Sequence, residues 1–182
     1  MKAFPRSFYA RPTVEVARDL LGHILVHGET SGRIVEVEAY LGVGDLAAHS
    51  SRGITNRTRV IFGPPGHAYI YLIYGRYQCL NVVTEPDGTP GCVLIRALEP
   101  LTGLELMYQR RGRTDLAGGP GKLTQALAIT PALNTTDFTR GPLRIVADDN
   151  YSSPSANRAI LVTPRIGIRH CADWPLRFLL AP

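Results

Sequence analysis

Arg33-Ile34-Val35-Glu36-Val37-Glu38-Ala39-Tyr40 is the stretch of this 182-residue chain whose reading decides the fold class. Its apolar and polar residues alternate, and Val, Ile and Tyr favour a pleated, half-buried surface. With a period of two, Val35, Val37, Ala39 and Leu41 share one face, and Ile34, Glu36, Glu38 and Tyr40 share the other. Two carboxylates thus stand in a strand otherwise suited to burial. A buried carboxylate is costly unless it is paired, and such groups gather at functional sites. The same pattern also fits a half-exposed strand with a solvated acidic face, and alternation alone leaves both open.

Working outward, residues 12–21 read as a helix, with Val14, Ala17, Leu20 and Leu21 apolar and Gly22 as its stop. Residues 23–27 read as a strand joined to 33–40 through Gly28-Glu29-Thr30-Ser31-Gly32. Residues 41–65 are loop-rich and Arg-rich. Residues 68–83 read as two strands meeting at Tyr74-Gly75, where glycine supplies the positive φ of a tight turn. An apolar strand follows at 92–98, and Thr102-Gly103-Leu104-Glu105 matches a capping box opening a helix toward Arg111. Gly118-Gly119-Pro120-Gly121 precedes a helix over 122–129, and short strands follow near 143–147, 159–162 and 177–180. Strands and helices do not alternate regularly. The expectation is an α+β fold: one compact domain over residues 1–182, with a mostly antiparallel curved sheet, flanking helices and a protruding β-hairpin.

Composition narrows the classes. At 45% hydrophobic and 19% charged, the chain can bury a core and is not of disordered type. No apolar run is long enough to span a membrane, and the first residues lack the apolar region of a signal peptide. The three cysteines, Cys79, Cys92 and Cys171, cannot all pair and form no Cys-x-x-Cys, which points to a reducing cytoplasm. Net charge is +5, and of 20 basic residues only Lys2 and Lys122 are lysines. That balance suits a polyanion and forked phosphate contacts; it equally suits a basic protein that never meets nucleic acid.

Three places can carry chemistry. Arg96 lies in the apolar strand Cys92-Val93-Leu94-Ile95-Arg96-Ala97-Leu98 and needs an anion, which Glu36 or Glu38 can supply. A carboxylate beside an Arg, with room for water, is a workable general base, and a structural ion pair reads equally well. The hairpin holds Tyr69, Tyr71, Tyr74 and Tyr77, half of the chain's eight tyrosines. Tyr69 and Tyr71 share a strand face and can wall a pocket for a flat ring, or simply pack across strands. Tyr74 falls at the exposed tip, where it suits a wedge into a base stack, with Arg76 beside it able to hold a phosphate. His49 is a loop ligand, a donor or plain surface. The histidines and cysteines show no metal-ligand spacing, so neither metal nor cofactor is expected. Gly118–Gly121 before Lys122 fails the Walker spacing but lets backbone approach a phosphate.

Together these segments resemble the alkyladenine DNA glycosylases, the 3-methyladenine DNA glycosylases of the mammalian type, as a bacterial member. The resemblance runs in order through Ile34-Val35-Glu36-Val37-Glu38-Ala39-Tyr40-Leu41-Gly42, Ala47-Ala48-His49-Ser50, Tyr69-Ile70-Tyr71-Leu72-Ile73-Tyr74-Gly75 and Cys79-Leu80-Asn81. It continues through Cys92–Pro100, Gly119-Pro120-Gly121-Lys122-Leu123, Arg165-Ile166-Gly167-Ile168 and Pro175-Leu176-Arg177-Phe178. It implies a monofunctional glycosylase of base excision repair acting, as a monomer, on double-stranded DNA with damaged purines: 3-methyladenine, hypoxanthine and ethenoadenine. It implies Glu38 as general base, with Arg96 and the Ile166 backbone holding the water. Tyr40 would stack on one face of a flipped base, His49 and Tyr71 on the other, and Asn81 would exclude guanine by its amino group. Tyr74 would fill the vacated space, with Arg76 and Lys122 on the DNA backbone. Glu38 is chosen over Glu36 by the resemblance alone. Arg76 departs from the pattern, since the mammalian proteins carry Met there, and residues 130–158 match poorly. A nucleic-acid-binding module would explain the charge and Tyr74 but not Glu38 with Arg96; a nucleoside hydrolase would explain a pocket but not the tip tyrosine.

Overall fold

The alternating stretch belongs to β2 (Thr30–Tyr40), the hub of the sheet. The computed structural model describes residues 2–148 and 158–182. Around β2 stand β1 (Ile24–His27), β3 (Ala68–Ile73), β4 (Tyr77–Val83), β5 (Cys92–Thr102), β6 (Leu143–Val146), β7 (Ile160–Thr163) and β8 (Arg177–Leu180). The order is β3-β4-β5-β2-β1-β6, with β8 joining β2 and β7 joining β8, and all these pairings are antiparallel. The curled sheet carries helices α1 (Arg6–Tyr9), α2 (Thr13–Leu20), α3 (Leu104–Arg111) and α4 (Pro120–Ala126), so the fold is α+β, one compact domain with a projecting hairpin. Among the described residues no helix is long and apolar enough to cross a membrane.

β2 keeps β5 along one edge but changes partner on the other: residues 30–33 pair with β1, and Glu36–Glu38 with β8. The change falls at a bulge. Ile34 faces Leu98 and Glu36 faces Ala97, leaving Val35 unopposed; Val37 then faces Ile95, leaving Arg96 unopposed. This corrects the simple alternation, because an extra residue reverses the side-chain phase. Ile34 does not lie with the two glutamates. It is fully buried in the core with Val37 and Ala39, while Val35 is only partly buried.

Beyond the bulge the alternation holds across four adjacent strands. Ala68, Ile70, Leu80, Val82, Val93, Ile95, Val37 and Ala39 pack in a core with Val16, Ala17 and Leu20 of α2 and with Leu123 and Ala126 of α4. The residues between them face the other way. Register aligns Tyr69, Asn81, Leu94 and Glu38 in one row across β3, β4, β5 and β2. At about 4.8 Å per strand, that row spans about 14 Å.

Other expected boundaries shift for local reasons. β1 and β2 meet with His27 opposite Thr30, so the connection is the pair Gly28-Glu29 rather than five residues. The capping box does not form: β5 runs on to Thr102, whose hydroxyl bonds Ser31 Oγ at 2.8 Å, and Gly103 enters α3 with φ +71°. α4 begins at Pro120 and ends at Ala126, and Gly121 lets it press on β4, since a Cβ there would lie 2.9 Å from Tyr77 Cβ. Thr124 Oγ1 donates to Gln78 O at 3.1 Å, so the helix braces the base of the hairpin.

Candidate active site

The row Tyr69, Asn81, Leu94 and Glu38 underlies a pocket of about 380 Å³. Its wall and floor are Tyr40, Tyr69, Tyr71, Cys79, Asn81, Cys92, Leu94 and Arg96, closed by loop residues Ala47, His49, Arg57 and Ile166, with Tyr74 at the rim. The volume and the aromatic lining suit a flat heterocycle.

Glu38 lies just beneath this lining and is fully buried. Desolvating a lone carboxylate costs several kcal/mol, so burial demands partners. Oε1 accepts from the Ile166 backbone N–H at 2.8 Å and lies 3.2 Å from Arg96 Nη1; Oε2 accepts from the Tyr40 hydroxyl at 2.9 Å. Among the described residues three donors converge on it, matching the acceptor capacity of a carboxylate. Glu36 differs. It is partly exposed, and its Oε1 accepts from Arg96 Nε at 2.9 Å and from Arg177 Nη1 at 2.8 Å. The Arg96 partner that the sequence left open is therefore both glutamates. Burial pulls Arg96 toward neutrality, but the two carboxylates outweigh it and its pKa ends raised. Burial, then Glu38, raises the Tyr40 phenol, so it stays a donor.

The walls are stiffened by contacts among themselves. His49 meets Tyr71 edge-on at 4.7 Å, and its Nδ1 shares a 2.9 Å hydrogen bond with the Tyr69 hydroxyl. Arg57 donates to that hydroxyl at 3.1 Å and lies 5.1 Å over the Tyr71 ring. Burial first, then Arg57 and Arg52, lower His49 to about 4, so its imidazole is neutral at neutral pH. Asn81 is buried and fixed, donating to Tyr69 O at 3.0 Å. Burial, then Asp45, pushes the Cys92 thiol up to about 12, which leaves it an inert pocket surface.

At the rim, Tyr74 and Gly75 both have positive φ, 50° and 69°, and Arg76 N–H closes the turn on Ile73 O at 3.2 Å. Positive φ at both central residues suits one of the two tight turns that hairpins favour, and a tyrosine adopts it at a cost. Tyr74 is 86% exposed. Arg76 does not reach out freely; its guanidinium lies 5.3 Å over the Tyr77 ring. Lys122 pairs with Asp115. Two further clefts flank the pocket. One, about 490 Å³, shares His49 and Arg57 with it and adds Arg52, Arg169 and His170. The other, about 400 Å³, shares Tyr74 and adds Arg111, Arg113 and Lys122. No carboxylate lines either one among the described residues.

All ten residues singled out from the sequence lie at or beside this pocket: Glu38 behind the wall, Arg76 and Lys122 outside it, and the rest lining it. Sequence reasoning missed the buried pair Asp45–Arg165, Arg57 within the wall, and Arg177 on Glu36. Arg165 and Arg177 lie in quoted motifs, but nothing local marks them. Asp45 has no sequence signal at all. Among the described residues no three His, Cys, Asp or Glu side chains are grouped to hold a metal ion.

Comparison with known proteins adds an independent finding. A family model described as Methylpurine-DNA glycosylase (MPG) matches residues 7–182. The chain is 57% identical over 182 residues to a protein of Methanoculleus marisnigri, covering 97% of this chain and 94% of that one. It is 50% identical over 185 residues to one of Methanocella arvoryzae, covering 97% and 90%. It is 48% identical over 187 residues to one of Legionella pneumophila (strain Corby), covering 99% and 95%. All three carry the provisional name 3-methyladenine DNA glycosylase.

Proposed function

Because this chain belongs to the methylpurine-DNA glycosylase family, we propose that it flips alkylated or deaminated purines out of duplex DNA and hydrolyses their N-glycosidic bond with a Glu38-activated water. It is a DNA N-glycosylase, a hydrolase of DNA repair whose partner is DNA. The finer reading names 3-methyladenine, hypoxanthine and ethenoadenine as substrates and an abasic site as product.

The observation that carries the mechanism is Glu38 itself: a fully buried carboxylate with three donors, one layer behind an aromatic pocket. Tyr40, Arg96 and Ile166 all line the pocket in front of it, so a water reaching Glu38 passes among those groups. In the proposed step Glu38 takes a proton from that water. The water oxygen bonds to C1′, and the electron pair of the breaking bond leaves with the base. Alkylated purines are good leaving groups, so a weak nucleophile suffices. A lyase step needs an amine nucleophile. Lys122 is held by Asp115 outside the pocket, which supports hydrolysis alone.

Base chemistry in a duplex requires extrusion, at a cost of a few kcal/mol. Tyr74, exposed on a braced turn, would occupy the gap, while Tyr40 on one side and His49 with Tyr71 on the other would sandwich the base. Asn81, held by Tyr69 O, would oppose the guanine amino group. The two basic clefts on either side of the pocket suit the duplex backbone.

The test is excision from duplex oligonucleotides carrying one hypoxanthine or one ethenoadenine. Wild type should release free base and leave an abasic site. Glu38→Gln should bind the lesion yet lose roughly 10³-fold or more in single-turnover rate. Near-normal rate in the variant overturns the Glu38 assignment, and no release from any lesion by wild type overturns the substrates.

A further inference from the structure

We propose that the buried Asp45–Arg165 pair positions the catalytic carboxylate and both walls of the base pocket, an inference that rests on the reading of Glu38 as the base. Both side chains are fully buried, and Arg165 grips Asp45 with two bonds, Nη1–Oδ2 at 2.6 Å and Nη2–Oδ1 at 2.8 Å. A buried ion pair is weak evidence of stabilisation, because apolar replacements are often as stable. What distinguishes this pair is where its remaining bonds go.

Arg165 Nη1 also donates to Ala39 O at 3.0 Å, fixing β2 between Glu38 and Tyr40. The face of its guanidinium lies 4.7 Å over the Tyr40 ring, and its buried Nε has no hydrogen-bond partner among the described residues. The next residue is Ile166, whose N–H donates to Glu38. On the other side, Asp45 accepts from Leu41 N–H at 2.9 Å and from Ala47 N–H at 3.1 Å. That anchors the segment leading from Tyr40 to His49. One ion pair therefore sets a donor to Glu38, the backing of one stacking ring and the approach to the opposite wall. It does so from two loops, which have no sheet ladder to hold them. Arg165 and Asp45 lie behind the site and do not line it, so they are positioning residues.

Displacement of reacting groups by about 1 Å can cost roughly a hundredfold in rate. The experiment compares Asp45→Asn, the apolar pair Asp45→Leu with Arg165→Met, and Glu38→Gln. Each is measured for thermal melting, affinity for a duplex with an uncleavable abasic-site analogue, and single-turnover excision of hypoxanthine from pH 5 to 9, with rates scaled to folded enzyme. Both clamp variants should fold and keep affinity within about threefold, yet lose roughly ten- to a hundredfold in rate. Their pH–rate profile should also change shape, because both the charge behind the site and the placement of the Ile166 donor are altered. A role in folding alone would lower melting temperature but leave the rate per folded molecule and the pH profile unmoved, and that result overturns the proposal. If the apolar pair does not fold, Asp45→Asn decides by the same readings. The Glu38→Gln arm separates the two claims. Normal excision there sinks the general base itself, whereas a dead Glu38→Gln beside wild-type clamp variants sinks the clamp alone.

Discussion

At the floor of the pocket Glu38 has no exposed surface and a donor on each oxygen, whereas at the rim Tyr74 is 86% exposed on a turn with positive φ. The floor is a sheet row whose polar side chains are held by fixed backbone and side-chain partners. The rim is a turn and two clefts rich in cations; among the described residues no carboxylate lines either cleft, and Lys122 alone of the cations named there forms an ion pair, with Asp115. The difference follows from what each must do. A proton acceptor has to be held in one geometry before substrate arrives, and in a low-dielectric site each unpaired charge is expensive. A surface that meets a polyanion gains by keeping its charges unneutralised until the partner supplies the counter-charge.

The contrast breaks first at the two glutamates. Glu36 and Glu38 are two residues apart, face the same side and share Arg96. Only Glu38 is buried behind the pocket and bonded to Tyr40 and Ile166. Glu36→Gln should therefore cost only about tenfold in single-turnover excision, since a neutral acceptor still holds Arg96, though more weakly. Glu38→Gln should lose at least 10³-fold. Equal losses would mean that the Glu36–Arg96–Glu38 cluster acts as one unit and that burial does not select the base.

A smaller effect belongs to the rim. Stacking of an aromatic side chain on a base contributes about 1–3 kcal/mol by alanine substitution. Tyr74→Ala should lower affinity for a lesion duplex by that amount and leave affinity for undamaged duplex within about twofold. Melting temperature should not change, because the side chain buries almost nothing. Equal losses on both duplexes would make Tyr74 a general backbone contact and remove the distinction between wedge and cleft.

The floor was legible because a strand writes its faces into the sequence. Alternation in residues 36–40, 68–71 and 92–96 separates core from pocket, and the structure places those alternate residues on opposite faces. Ile34 failed because a bulge is set by partner exchange between β1 and β8, which no local pattern records. The strand pattern alone could not separate Glu38 from Glu36, for a related reason. The distinction depends on Ile166, 128 residues away, and on a ring two positions along the same strand. The capping box at 102–105 failed because β5 claims Thr102 first. Asp45 and Arg165 were invisible for the strongest reason: their meaning lies wholly in a contact across 120 residues.

The smallest expected effect lies where floor and rim meet, at His49. Its imidazole, lowered to about 4 by burial and by Arg57 and Arg52, binds fewer protons in the folded chain than in the unfolded one, where the value is about 6.5. Between those values the unfolded state takes up the proton, so stability rises with pH across that window and falls as pH drops from about 6.5 toward 4. His49→Gln removes this dependence. His23, lowered mainly by burial, retains its own in both proteins. Thermal melting at pH 7.5 and pH 5 should show wild type losing a few °C more than the variant over that interval. Equal slopes would mean that His49 protonates as easily in the folded chain as in the unfolded one. The wall it shares with Tyr69 and Tyr71 would then open in solution, and His49 would belong with the adaptable rim rather than the fixed floor.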